Sequence, residues 1–137
     1  MKISYLAGFF DGEGSIIISR CKRKNRPTVR YDFWISISQK RREVLDQIKK
    51  EFGGRVHPDG NGGFTWRLDA NRAKDILEEM IPILIVKKRE AKIGIKFQMA
   101  KGFIRPGSNQ FSKKEFPKKT IFLREEYRQE LLKERRT

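Results

Sequence analysis

The segment Leu6-Ala7-Gly8-Phe9-Phe10-Asp11-Gly12-Glu13-Gly14-Ser15 gathers the residue types that can do chemistry in this chain. Gly8 and Gly12 stand four apart, so on a helix they fall on one side and let a second backbone approach closely, as small residues do in paired membrane helices. Each glycine inside a helix costs about 1 kcal/mol against alanine, and close pairing of two helices is the obvious compensation. Asp11 and Glu13 follow at the C-terminal end of that helix, where the macrodipole already places partial negative charge. A hard divalent cation reverses the penalty, because carboxylates and backbone carbonyls are the oxygen ligands that magnesium prefers. Two such helices side by side bring two acidic ends together, which again asks for cations and suits two cleavage centres acting on two strands. The plainer alternative is that Asp11 caps a turn and Glu13 is solvated.

The elements around this segment follow from pattern. Ser4 to Phe10 read as a short apolar helix ending at Asp11-Gly12, and Ser15 to Lys22 as a strand rich in β-branched residues. Beyond a basic loop around Pro27, Val29, Tyr31, Phe33, Ile35 and Ile37 alternate with Arg30, Asp32, Trp34, Ser36 and Ser38, the period of a half-buried strand. Lys40 to Phe52 turns helical and stops at Gly53-Gly54. Arg55 to His57 and Phe64 to Leu68 are short strands around the turn from Pro58 to Gly63. A third helix carries Ala73, Ile76, Leu77 and Met80 and ends at Pro82, and a fourth runs from about Lys87 to Ala100. The order is αββαββαα. Arg105 to Lys119 read as a basic linker, and Thr120 to Arg136 as a helical tail that either packs on the domain or lies on a polyanion. The expected division is therefore a core over residues 1–104 and a linker with helix over 105–137.

The balance of 32 Lys+Arg against 17 Asp+Glu leaves a net charge of +15 on 137 residues. A surplus of this size draws polyanions, and neutralising phosphates releases condensed counterions. Nucleic acid is the leading partner, since an anionic membrane would want one basic amphipathic helix and the basic residues here run throughout, densely from Arg20 to Arg30. With 37% apolar and 11% aromatic residues the chain can fill one core. Cys21 alone cannot form an intramolecular disulfide, and one His with one Cys cannot build a structural zinc site. The longest apolar stretch, Met80 to Val86, is too short to span a bilayer, and no cleavage site follows the N-terminal apolar run. An intracellular location is expected, with no membrane partner.

Separated helices and antiparallel hairpins make an α+β domain, with one four-stranded sheet covered by helices on one face. Parity assigns the other face Ile17, Ser19, Cys21 and Arg23 on the first strand, Arg30, Asp32, Trp34 and Ser36 on the second, and His57, Thr65 and Arg67 on the later pair. Such a surface of hydrogen-bonding side chains can enter a major groove and read base edges.

The match LAGFFDGEG resembles the signature of the LAGLIDADG homing endonucleases, in a chain that looks like a single-motif member. It keeps the opening Leu-Ala-Gly, the acid at the sixth position and both later glycines, with Glu13 where the family most often has Asp. The resemblance covers about residues 1–103 and implies an αββαββα core with a saddle-shaped antiparallel sheet. It implies a homodimer whose signature helices pack at the centre, each copy laying its sheet on half of a long, nearly palindromic double-stranded DNA site. Glu13, joined by the Gly12 carbonyl, would bind Mg²⁺, with Mn²⁺ or Ca²⁺ able to substitute in binding; Asp11 would cap and support the motif beside Gly8 and Gly12. Gln39 matches the polar residue that family members place after the second strand, and Lys87 the lysine near the start of the last core helix. Arg41 or Arg42 would supply a further basic contact.

The resemblance also carries an alternative of another class, a non-catalytic binder: a maturase acting on its host intron RNA, or a DNA-binding regulator. An acid at position 13 together with Gln39 and Lys87 favours cleavage, since a pure binder needs none of the three. A basic ribosomal-type protein would explain the charge but not the glycines beside the carboxylates.

Overall fold

The structure, a computed structural model, describes residues 1–22, 29–100 and 118–135. The elements run α1 (Ile3–Glu13), β1 (Gly14–Lys22), β2 (Val29–Gln39), α2 (Glu43–Phe52), β3 (Arg55–Pro58), β4 (Phe64–Asp69), α3 (Ala70–Met80), α4 (Lys88–Ala100) and α5 (Lys118–Arg135). All strand pairs are antiparallel, in the order β1-β2-β4-β3. This is the expected α+β arrangement, αββαββα with two further helices. No helix among the described residues is long and apolar enough to cross a membrane.

The period-two pattern of β2 sorts its side chains as expected. Tyr31, Phe33, Ile35 and Ile37 are buried under the helices, joined from β1 by Ile16 and Ile18 and from β4 by Trp66 and Leu68. The helices close this face in sequence, with α2 over β3 and β4, α3 over β4 and β2, and α4 over β2 and β1. Trp66 is fully buried, and its indole N–H donates to the Gly53 carbonyl at 2.8 Å. The turn from α2 into β3 is therefore held from within the core. Gly53 and Gly54 both have positive φ there, and a Cβ on Gly54 would collide with that indole and with the Arg67 carbonyl.

Helix α1 runs further than its sequence suggests, through Asp11 and Gly12 to Glu13. Asp11 does not turn the chain, because its carboxylate is engaged elsewhere. The helix ends instead at Gly14, whose backbone is extended and whose N–H donates to the Phe10 carbonyl, so the chain passes into β1 with no loop. Leu6, Ala7 and Phe10 are buried against α3 and the sheet, whereas Ser4, Tyr5, Gly8 and Gly12 are exposed. Nothing lies within 4 Å of the place where a Cβ on Gly8 or Gly12 would stand. Gly14 differs: a Cβ there would penetrate the buried Phe10 ring.

Helix α5 packs on the domain. It lies along α4 and touches β1. Arg124, only 3% exposed, places its guanidinium carbon 4.3 Å from the Phe97 ring centroid and donates from Nη2 to the Tyr31 carbonyl at 3.2 Å. The Tyr31 hydroxyl donates to Glu125, and Leu131 is buried. Burial pulls the Arg124 guanidinium down to about 10, and burial with the Glu125 hydrogen bond pushes the Tyr31 phenol up to about 12, so both keep their ordinary protonation at neutral pH. The expected boundary at 104/105 falls outside the described residues.

Gly14→Ala should destabilise the fold by about 1–3 kcal/mol through overpacking against Phe10. Gly12→Ala, which meets open space, should leave the isolated chain as stable or slightly more so. Denaturant titration of both variants distinguishes them; equal effects would contradict the different surroundings of the two glycines.

Candidate active site and nucleic-acid interface

One end of the sheet collects the acidic segment. Because Gly14 opens β1 opposite Ile37 of β2, the last residue of β2, Gln39, lies beyond the start of β1, at the end of the sheet where α1 joins it. Gln39 closes the strand and does not follow it. From the other side comes the turn between α3 and α4, anchored by buried Leu84 and by N–H groups of Ile83 and Leu84 donating to the Met80 carbonyl.

Asp11 ties that turn to α1. The backbone N–H groups of Ile85 and Val86 donate to its Oδ2 at 3.0 and 3.1 Å, and that of Lys87 donates to Oδ1 at 2.9 Å. In return the Lys87 ammonium donates to the Asp11 backbone carbonyl at 3.2 Å. Partial burial pushes the Asp11 carboxyl upward, but the three N–H donors and the lysine charge outweigh it and hold the group below its ordinary value. Asp11 thus spends both oxygens on backbone, and Lys87, just before α4, is drawn to the end of α1. Gly12 and Glu13 at the same end are exposed.

The other candidates near this end are basic. Arg41 and Arg42 are exposed between β2 and α2. Arg42 is committed to its own helix, with Nε donating to the Asp46 carboxylate at 3.1 Å and its guanidinium 5.4 Å from the Phe64 ring centroid.

The sheet face away from the helices carries the residues that parity assigned to it. Ser19 and Cys21 of β1, Arg30, Asp32 and Trp34 of β2, Thr65 and Arg67 of β4, and His57 of β3 are exposed or half-buried, as is Ile17. Arg23 lies outside the described residues. Ser36 is a correction to the expectation of an exposed side chain: it is only 9% exposed. Its short side chain sits mid-sheet between Ser15 and Arg67, its partners on the two flanking strands. Pairs of these side chains bond one another: Ser38 with Thr65 at 2.8 Å, Arg30 Nε to Asp32 at 3.0 Å, and Arg67 Nε to Asp69 at 2.6 Å.

Arg55 belongs to the same face and was missed. It pairs with Arg67 across β3 and β4, and the same alternation that picked His57 two residues later would have found it.

Helices on one side of an antiparallel sheet, an open basic face on the other, and an acidic helix end clasped to a lysine at one edge define a LAGLIDADG-type domain. Residues 6–103 match the family model for LAGLIDADG endonuclease, and the chain belongs to that family. The archaeal intron-encoded homing endonuclease I-Vdi141I, solved in complex with DNA, is 25% identical, with a TM-score of 0.79 over 96% of this chain and 82% of its own. The homing endonuclease I-TnaI is 18% identical and aligns over 99% of this chain and 95% of its own with a TM-score of 0.72. I-SmaMI, bound to an uncleaved DNA target in the presence of calcium ions, is 19% identical with a TM-score of 0.73, and the match spans 97% of this chain but 45% of that one. No curated protein matches the chain in sequence.

Asp11→Asn keeps one acceptor oxygen and loses the charge, which should cost about 1–2 kcal/mol at pH 7. A depressed folded-state pKa gives stability that is complete above the unfolded value, near 3.8, and lost as pH falls through the folded one. The gap between variant and wild type should therefore narrow in acid. Denaturant titrations at neutral and strongly acidic pH check this, and a gap of constant size would show that the charge does not hold the turn.

Proposed function

We propose that this chain is a site-specific DNA endonuclease that works as a homodimer and hydrolyses one phosphodiester in each strand with a divalent cation. The observation that carries the reading is the Asp11 clasp, which brings the Lys87 ammonium to the exposed acidic end of α1. That combination serves a scissile phosphate: a cation for the negative charge, and an oxygen-donor site beside it.

The donor set fits a hard cation. Glu13 and the Gly12 carbonyl offer exposed hard oxygens, while Asp11 is withdrawn from coordination by its three N–H donors. No group of three or more His, Cys, Asp or Glu gathers among the described residues of one chain. A site with so few protein ligands leaves room for waters and phosphate oxygens, as magnesium demands. When bound there, Mg²⁺ would lower the pKa of a water and neutralise charge developing on the phosphate. Lys87 donates to the phosphate oxygens, and Gln39 orients polar groups at the same end of the sheet.

The open side of α1 supports the second copy. Gly8 and Gly12 leave their side of the helix bare, and beside its end Ile85 and Val86 stand 84% and 71% exposed although apolar. A second α1 against this surface would cover both and set two Glu13 residues near each other. The match of this chain to less than half of I-SmaMI agrees with one chain being half of a two-fold unit. The basic sheet face would then follow the DNA on either side, using the net charge of +15.

Glu13→Gln should abolish nicking of a selected site while binding stays within a few-fold; unchanged cleavage would refute the metal-ligand role. Affinity should fall steeply as salt rises from 50 to 200 mM, roughly 10³-fold for six phosphate contacts. Tight binding of a structured RNA with no DNA cleavage in magnesium would instead favour a maturase.

A further inference from the structure

Two pairs on the open sheet face share one geometry, an arginine Nε donating to the Oδ1 of the aspartate two residues later in its own strand. Arg30 meets Asp32 at 3.0 Å and Arg67 meets Asp69 at 2.6 Å. They differ in what lies against them. The Arg67 guanidinium carbon is 3.9 Å from the Trp34 ring centroid, and the Arg67 side chain is 26% exposed against 55% for Arg30. Asp69 stands opposite Trp34 in the β2–β4 register, so indole, guanidinium and carboxylate form one patch.

A guanidinium has five N–H donors in a plane. With Nε given to Asp69 and one face laid on Trp34, Arg67 has its two terminal Nη groups left to present. A fork of two parallel donors matches the O6 and N7 acceptors of guanine in the major groove. The stack and the carboxylate hold that fork before any ligand arrives, so little side-chain freedom is lost on contact. Arg55 adds to the patch. It stands directly opposite Arg67, an unfavourable like-charge pairing in a sheet, and its Nη2 is 3.8 Å from the second oxygen of Asp69. Two arginines on one carboxylate leave the patch positive, suited to an electron-rich base edge.

The geometry points to Arg67 as a specificity-determining residue that reads one guanine in each half of the DNA target, with Trp34 and Asp69 as its positioning residues. This rests on the reading that the sheet face lies on DNA. A phosphate contact would need only the charge, which lysine supplies as well; a guanine contact needs the fork.

The test is selection of bound sites from a random duplex library with the full chain, followed by competition between the selected site and its single-base variants. Wild type should select guanine at one position per half-site and prefer it roughly 10–100-fold over adenine there. Arg67→Lys should erase that preference and keep the rest of the site. Arg67→Gln should shift the same position toward adenine, a gain that misfolding cannot produce. Trp34→Leu should weaken the guanine preference without moving it. Retained guanine preference in Arg67→Lys overturns the inference, as does an equal loss for every sequence with a salt slope smaller by about one, which marks a phosphate contact. Both of those outcomes leave DNA binding standing. Failure of the wild type to select any duplex would overturn the inference together with the function it rests on.

Discussion

The Asp11 carboxylate is the constraint on which the candidate site depends. A negative charge near the end of a helix is disfavoured by the helix dipole, and partial desolvation adds to the cost. Three backbone N–H groups from the turn at 85–87 reverse the balance, because charge-assisted hydrogen bonds are about twice as strong as neutral ones. The result is positional. The turn cannot drift from α1, so α4 starts at a fixed place and Lys87 reaches back to the Asp11 carbonyl. Two acids only two residues apart are thereby placed differently: Asp11 accepts three N–H bonds from within the chain, and Glu13 stays exposed.

The sheet keeps its stabilising face apart from its charged one. Its covered face is apolar, with Ile35, Ile37, Trp66 and Leu68 essentially free of solvent, so the open face can carry charge without weakening the core. That freedom has been used against local stability: Arg55 opposes Arg67, and one aspartate serves both. A face optimised only for solubility would alternate signs across the strands. The docked α5 adds cover beside α4 and β1, with Leu131 buried and the Arg124 guanidinium lying over the Phe97 and Tyr31 rings.

Legibility in the sequence followed the range of the interactions. Strand β2 could be read from alternation and β1 from its β-branched residues, and parity then gave the covered face, because a strand's side-chain period is local. The motif helix was legible in kind but not in length. Asp11, expected to turn the chain, instead bonds residues 74 to 76 positions later, and no local pattern reports that contact. The docking of α5 escaped for a similar reason: its anchors, Arg124 on Phe97 and Glu125 with Tyr31, join it to α4 and β2 far back in the chain. Arg55 was within reach of parity, and only the shortness of β3 hid it. Ser36 had the correct face but not the correct exposure, since parity reports which face a side chain takes and not how far a short one in a central strand reaches solvent.

The three glycines at positions 8, 12 and 14 show how one motif divides its work. Gly14 is explained within the chain, because the buried Phe10 ring occupies the space a side chain would need as helix turns directly into strand. Gly8 and Gly12 have no such explanation: their φ values are not left-handed, nothing stands where a Cβ would go, and alanine would strengthen the helix by about 1 kcal/mol at each. A cost that is not offset inside the molecule points outside it. A backbone approaching that bare side closely would supply the compensation, and a second α1, bare in the same way, is the surface we propose for it.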